Sequence, residues 1–350
     1  MDSIHTCTVP VSERKTHDSI WGGLMLAFTI ASAAFGIGRI PGFQFVSPMI
    51  LAVFLGILFQ SLFTIPASFS KGITFSLHKL LKIGIVLLGL QLSFAQVFAV
   101  GWNGLLAIFL TLGSTFLFCL WAGKRLGIDP RLTRLIAAGT SICGASAIVA
   151  TNSVIRGKDE HVAYAITTVT LFGFLSMLLF PVAGRLLALD PATFGFWSGS
   201  SIHETAQVIG TAFQGGQVSG ETGTVTKLSR ILFLVPVILI LGLFPIEKSQ
   251  LEKTSKKRLP IPWLIIGFMI LVTINSFLTL EPVTKEQIKF GNKFLLTVAL
   301  AAMGLQMSFA KIKETGMRPL CLGALAWIFV STIGLVLAKT LAYTGAHQVL

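Results

Sequence analysis

Long apolar runs separated by short polar stretches set the pattern of this chain. A helix that crosses a bilayer needs about 20 mostly apolar residues. Laid along the sequence, that length predicts about eleven helical segments, near 20–38, 45–63, 80–100, 104–122, 133–154, 162–184, 194–214, 226–246, 260–280, 294–310 and 319–342. The fifth and seventh are the least apolar and are rich in Gly, Ser, Thr and Ala. Ala31-Ser32-Ala33 in the first resembles a signal-peptide cleavage site. The long tail before it carries Asp2, Glu13 and Asp18, and many segments follow, so it reads as an uncleaved first helix. The pattern predicts an all-α polytopic membrane protein, with a polar tail over 1–18 and a single transmembrane domain over 19–350 embedded in the lipid bilayer.

The apolar pattern also repeats. Gly89-Leu90-Gln91-Leu92-Ser93-Phe94-Ala95 has a counterpart in Gly304-Leu305-Gln306-Met307-Ser308-Phe309-Ala310. The register holds without a gap over about 80–126 against 295–341, pairing Gly101 with Gly316 and Lys124 with Lys339. It extends back to Ser61-Leu62-Phe63 against Ser276-Phe277-Leu278, which gives repeat-related segments of about 45–126 and 260–341. Generic Leu matches between apolar helices mean little, but a shared Gln and Ser inside a span are harder to reach by chance. The third segment matches the tenth, seven crossings later, so the copies face opposite ways, as in the inverted repeats of secondary transporters. This holds if the fifth and seventh segments both cross; were only one of them re-entrant, the repeat would be parallel. A second echo, Gly139-Thr140-Ser141-Ile142 with Gly199-Ser200-Ser201-Ile202, occurs in the other order and does not fit one simple duplication.

Composition agrees with the membrane reading. The chain is 53% hydrophobic and 12% charged, with a mean hydropathy of +0.82, whereas a soluble domain carries about 25% charged residues. This excludes a disordered chain, a nucleic-acid-binding module and an ordinary cytosolic enzyme, but not a membrane enzyme. The net charge of +13 therefore asks for a topological explanation. If all eleven segments cross, basic residues favour the N-terminal face by about two to one, with 247–258 the densest cluster. The N-terminus is then cytoplasmic and the C-terminus periplasmic, and no nucleic-acid partner is called for. The four cysteines form no CxxC pair and no metal-ligand spacing, so they read as small buried hydrophobes. No metal or cofactor is predicted.

Two segments carry candidate chemistry. The fifth holds Gly139, Thr140, Ser141, Cys143, Gly144, Ser146 and Asn152. A helix break near Gly139–Gly144 would present free N–H groups at a half-helix N-terminus, which suits an anion. The plainer reading is a small-residue stripe for close helix packing. In the seventh, Ser200, His203, Glu204, Gln207 and Thr211 fall on one helical face beside Ser201. An ionisable group at mid-membrane costs about 2.5–3.5 kcal/mol, so adjacent His and Glu imply a task or a partner. The plainer reading is a short interfacial segment with both groups in water. His203-Glu204-Thr205-Ala206-Gln207 also approaches the zinc motif H-E-x-x-H, but Gln207 stands where the second His would be. Lys227 and Arg230 share a face at the predicted start of the eighth segment, either countering Glu204, attracting an anion or snorkelling to the interface.

At these residues the sequence resembles a known family. G-T-S-I-C-G-A-S-A-I, G-S-S-I-H-E-T-A-Q-V, K-L-S-R and the two G-L-Q-x-S-F strings are similar to the YeiH family of bacterial inner-membrane proteins, often labelled sulfate exporters. The resemblance covers nearly the whole chain beyond its first ~18 residues. It implies kinship with the bile acid/arsenite/riboflavin transporter superfamily, with inverted repeats and discontinuous core helices. The expectation is a multi-pass inner-membrane secondary transporter of a small solute, an anion such as sulfate or an organic anion, coupled to protons or sodium. Gly139, Thr140, Ser141, Cys143, Gly144, Ser146, Ser200 and Ser201 would bind substrate. His203, Glu204, Gln207, Asn152, Gln91, Gln306, Lys227 and Arg230 would form the coupling and polar core. A channel or gated pore is the first alternative and a membrane-embedded enzyme the second. A homodimer is compatible with this reading. No G-x-x-x-x-G-K-[ST] loop occurs, which argues against ATP-driven transport by this chain alone.

Overall fold

A computed structural model describes residues 20–40, 47–91, 94, 101–243, 263–277, 281–307 and 317–343. The regular elements among them are all helical. They are α1 (Ile20–Ile37), α2 (Pro48–Leu62), α3 (Ala67–Gln91), α4 (Gly101–Arg125), α5 (Pro130–Ser141), α6 (Ala145–Ile155) and α7 (Asp159–Leu186). α8 (Pro191–Ser201), α9 (Thr205–Ala212), α10 (Gln217–Leu232), α11 (Leu234–Leu243), α12 (Trp263–Phe277), α13 (Pro282–Gln306) and α14 (Met317–Tyr343) follow. Among the described residues, α1, α3, α4, α7, α10 with α11, α13 and α14 are each long and apolar enough to cross a membrane, while α2 and α12 are shorter. The tail over 1–18 and the cluster at 247–258 lie outside the described residues, as do the ends of the third and tenth predicted segments.

Three boundaries differ from the hydropathy pattern for a physical reason. α3 and α13 start well before their predicted 80 and 294, so Lys71, Lys79 and Lys285, Lys289, Lys293 are helical rather than loop residues. Long lysine side chains can keep an apolar stem in the helix and a charge at its edge. α10 likewise starts at Gln217, nine residues before the predicted 226. Its first turns, Ser219-Gly220-Glu221-Thr222-Gly223-Thr224, look like a loop by hydropathy. Their small side chains instead let α10 press against α8: a Cβ at Gly195 would meet the Ser219 carbonyl, and one at Gly199 the Gly223 carbonyl.

The fifth and seventh segments do not cross. Each is a helical hairpin that turns at mid-depth and returns. Asp129 caps α5, accepting from the N–H groups of Arg131 and Leu132, with Pro130 at the first helical position. α5 runs 12 residues, about 18 Å and too short to cross a hydrocarbon core of about 30 Å. Ile142, Cys143 and Gly144 then turn the chain, and Gly144 adopts φ +72 with its N–H bonded to the Gly139 carbonyl. α6 comes back beside α5, so that Gly157 lies against Leu135 and His161 Nδ1 stands 3.7 Å from Asp129 Oδ1. The second hairpin follows the same plan. Asp190 caps α8 through the Thr193 N–H, Pro191 starts it, Ile202-His203-Glu204 breaks it, and α9 returns until Gly215 meets the Phe194 ring. α7 spans the distance between the two mouths: His161 in its first turn is at Asp129, and Gly184 near its end is at Phe194. The hairpins therefore enter from opposite faces and meet tip to tip.

The internal repeat is present in three dimensions. A Cβ at Gly304 would meet Val53 O, Gly56 Cα and Ile57 N; one at Gly89 would meet Phe268 O, Leu271 Cβ and Val272 N. Those are the same positions in the register that aligns 80–126 with 295–341. The copies α3 and α13 run antiparallel, with Gly84 against Asn292 and Leu296 and with Thr74 bonded by Gln306. The exchange α2/α12, α3/α13, α4/α14, α5/α8, α6/α9 and α7/α10–α11 also maps observed packing onto observed packing. It turns α2–α13 into α12–α3, α4–α5 into α14–α8, α7–α9 into α11–α6, and α7–α14 into α10–α4. The second copy is thus circularly permuted, its hairpin preceding rather than following its long helices. This accounts for the reversed order of the two sequence echoes.

The helices form two groups. α1, α2, α3, α12 and α13 pack on one another, and α4 to α11 with α14 enclose the hairpins. Between the groups, α9 packs against α2 and α13.

Candidate functional site

The breaks at Ile142–Gly144 and Ile202–Glu204 place two helix C-termini and two helix N-termini together inside the protein. Each C-terminus exposes carbonyls with no intrahelical donor, and each N-terminus exposes N–H groups. Buried orphans of either kind are costly, about 1–3 kcal/mol each. The sequence supplies a partner for both kinds.

The carbonyls are met by α10. Lys227 Nζ donates to Ile142 O at 2.9 Å, Ile202 O at 2.8 Å and His203 O at 2.6 Å. Three acceptors call for three N–H donors, which is the ammonium form. Arg230 donates from Nε to Ser141 O at 3.0 Å, from one terminal nitrogen to Thr140 O at 2.7 Å, and from the other to Ser200 O at 2.6 Å. That last nitrogen also reaches Gly199 O and Ile202 O, each at 3.2 Å. Both side chains are fully buried. Neither forms an ion pair among the described residues; they bind neutral carbonyls at the negative ends of α5 and α8. The expectation of snorkelling anchors at the interface is therefore corrected: Lys227 and Arg230 sit at the centre, because α10 begins earlier than its hydropathy suggests.

The N–H groups are met by the second hairpin. The Glu204 carboxylate accepts from the Ala145 N–H at the start of α6 and from Thr170 Oγ1 of α7 at 3.1 Å. Gln207 Oε1 accepts from the Glu204 N–H at 3.1 Å, and Gln207 Nε2 donates to Thr170 O at 3.1 Å. Position 207 is thus a capping glutamine that ties the break to α7. Its amide presses so close to α7 that only Gly fits at 173. Among the described residues, no three His, Cys, Asp or Glu side chains converge as metal ligands.

Of the predicted site residues, Thr140, Ser141, Cys143, Gly144, Ser200, Ser201, His203, Glu204, Gln207, Lys227 and Arg230 come together around the two breaks, and Gly139 and Ser146 flank them. Thr140 Oγ1, Ser141 Oγ and His203 Nδ1 are buried there without a hydrogen-bond partner among the described residues. Ser201 Oγ instead donates to Val330 O of α14 at 3.2 Å. Ser146 Oγ bonds locally to Cys143.

A family profile described as conserved hypothetical protein 698 matches residues 22–323. A UPF0324 membrane protein of Pseudomonas aeruginosa is 36% identical over 321 residues, covering 87% of this chain and 90% of its own. One from Bordetella pertussis is 34% identical over 96% of this chain and 99% of its own. One from Listeria monocytogenes is 30% identical over 93% and 97%. The chain belongs to the UPF0324 family of YeiH-type membrane proteins.

In this UPF0324 chain three predicted residues lie away from the breaks. Asn152 closes α6 by accepting from the Gly157 N–H at 2.8 Å. Gln91 accepts from Gln217 Nε2 at 3.3 Å and so links α3 to α10. Gln306 bonds Thr74 at 3.2 Å. Sequence reasoning missed Thr170, which binds Glu204. It lies in an ordinary apolar helix, and a lone threonine there carries no signal.

Proposed function

We propose that this protein is a secondary transporter of a small anion, working by alternating access around the two hairpin tips, and that it is not an enzyme. The observation that carries this reading is a broken symmetry. Superposing Gly139–Ile142 on Gly199–Ile202 pairs Val149 of α6 with Ile209 of α9. Val149 is 58% exposed and Ile209 is 0% exposed. Ser146 is exposed where its mate Ala206 is buried. Among the described residues α9 packs against α2 and α13, while α6 packs less against their counterparts α12 and α3. Two equivalent hairpins in unequal surroundings support one state of a pair, in which access to the tips is closed along α9 and open along α6. The mate state follows by exchange.

The charge at the tips favours an anion. Lys227 and Arg230 outnumber Glu204, and each pair of opposite helix ends contributes about half a charge of either sign and cancels. The unpaired Thr140, Ser141 and His203 atoms offer hydrogen bonds beside that excess. A pore would need no closed side and no equivalent of the α9 seal.

The re-entrant hairpins also sharpen the orientation. Arg156 and Lys158 join the face that holds the N-terminus, Arg185 leaves it, and Lys227 and Arg230 drop out of the tally as buried groups. The basic bias rises to about three to one, favouring a cytoplasmic N-terminus, a periplasmic C-terminus and a bacterial inner membrane. On this assignment the open α6 side faces the cytoplasm.

The test is flux in proteoliposomes with a panel of anions, sulfate and small carboxylates included. The expected result is saturable uptake of one anion class, concentrated against its gradient when a pH gradient is imposed. Conductance without saturation or coupling would contradict the reading.

A further inference from the structure

Half-helix C-termini and unwound carbonyls at mid-membrane are where transporters hold a coupling cation. Here those carbonyls are taken. We propose that Lys227 and Arg230 are tethered cations standing where a free monovalent cation would bind, so that the hairpin tips carry their own positive charge and transport does not draw on sodium. The inference rests on the transporter reading only in its last clause; the tethered-cation assignment stands on the geometry alone.

Three features carry it. Oxygens from both hairpins, Ile142 O on one and Ile202 O and His203 O on the other, converge on the single Nζ point at 2.6–2.9 Å. A cluster of neutral oxygens from two hairpins around one buried positive charge is the coordination of an ion, completed here by a side chain. Second, Lys227 has no carboxylate partner at that point: Glu204 spends its oxygens on Ala145 and Thr170. The positive charge therefore answers the carbonyls and helix ends by direct hydrogen bonds, while Glu204 acts on it only through space. Third, the adjacent carbonyls of Thr140, Ser141, Gly199 and Ser200 are all bonded by Arg230, so these four backbone oxygens are likewise occupied by a tethered charge. The covalent link to α10 also means that the charge cannot leave with the substrate. A transporter built this way can exchange hairpin exposure without loading and unloading an ion at this point.

The experiment removes the tether and offers the ion back. In Lys227→Ala the oxygens keep their geometry and lose their charge, and the vacated stem leaves space. Thermal unfolding of purified full-length protein is followed at constant ionic strength while methylammonium, propylammonium, sodium, potassium or choline chloride is titrated. The expected result is a lowered midpoint for Lys227→Ala, raised saturably by the small ammonium ions and by sodium or potassium but not by choline. Lys227→Met, which fills the space without charge, stays insensitive. Wild type shows no saturable response to sodium, and its anion flux is unchanged when choline replaces sodium. A Lys227→Ala midpoint indifferent to every cation, or a saturable sodium response of the wild type, overturns the proposal. The wild-type measurements decide the matter even where the variant does not fold. Absence of any anion flux alongside the expected thermal results would count against the transporter reading and leave the tethered cations in place.

Discussion

At Gly144 one residue decides whether the first hairpin can turn. Its φ is +72, and an added Cβ would stand 2.6 Å from Glu204 Cγ. Gly144→Ala should therefore cost more than the roughly 1 kcal/mol of a conformational mismatch alone, because it also displaces the carboxylate that caps α6. A thermal melt checks this; an unchanged midpoint would show that the tips do not touch. Lys227→Met should lower stability by a few kcal/mol, since the Ile142 and His203 carbonyls lose their donor at about 1–3 kcal/mol each, while Ile202 O keeps Arg230. Lys227→Arg should recover only part, because a planar fork does not reproduce three diverging donors. The placement of His203 and Glu204 inside the protein was legible in the sequence, since flanking apolar residues argue for burial. Their partners were not. Thr170 reaches the Glu204 carboxylate and Lys227 the His203 carbonyl across sequence separations that no local pattern encodes, and the Gly/Thr/Ser turns before Lys227 pass for a loop.

At the scale of elements, hydropathy finds apolar length but not direction. A segment of about 20 residues can cross the bilayer or be two half-helices that double back, and both give the same window average. What distinguishes them here is punctuation: Asp129-Pro130 and Asp190-Pro191 at the mouths, and Ile142–Gly144 and Ile202–Glu204 at mid-depth. Replacing either aspartate with Ala should cost about 1 kcal/mol of stability. Burial alone would raise the Asp190 carboxyl, but hydrogen bonds from Thr193 and Ala192 hold it below the ordinary aspartate range. A depressed native value means that its stabilisation is full above the unfolded value and fades as pH falls through the native one. The melting difference between wild type and Asp190→Asn should accordingly shrink on acidification; a constant difference would remove Asp190 as a charged cap. The repeat register makes a further demand. Gly89→Ala and Gly304→Ala should destabilise to similar extents, because each Cβ would strike the matching backbone of α12 or α2.

Across the whole molecule, the sequence indicated inverted copies and the structure places them antiparallel, as Gly84 against Leu296 and Thr74 against Gln306 require. The crossing count behind that expectation changes, yet its parity survives, since two hairpins return instead of one. The permuted order was visible only as an unexplained reversal of two motifs, because a linear alignment cannot display a circular exchange of elements. Its consequence is mechanistic. Gly210 of α9 lies with its Cβ position 3.6 Å from Leu300 of α13. The exchange maps this pair onto Ala150 of α6 and Ile85 of α3, which the proposed alternation of states brings together in the mate state. The most direct measurement is disulfide trapping in native membranes, in a background without native cysteines. Gly210→Cys with Leu300→Cys and Ala150→Cys with Ile85→Cys are made as separate double variants. The account predicts that both pairs cross-link, that either cross-link abolishes anion flux, and that reduction restores it. Cross-linking of the Gly210–Leu300 pair alone under all conditions, with Ala150 and Ile85 never meeting, would contradict it.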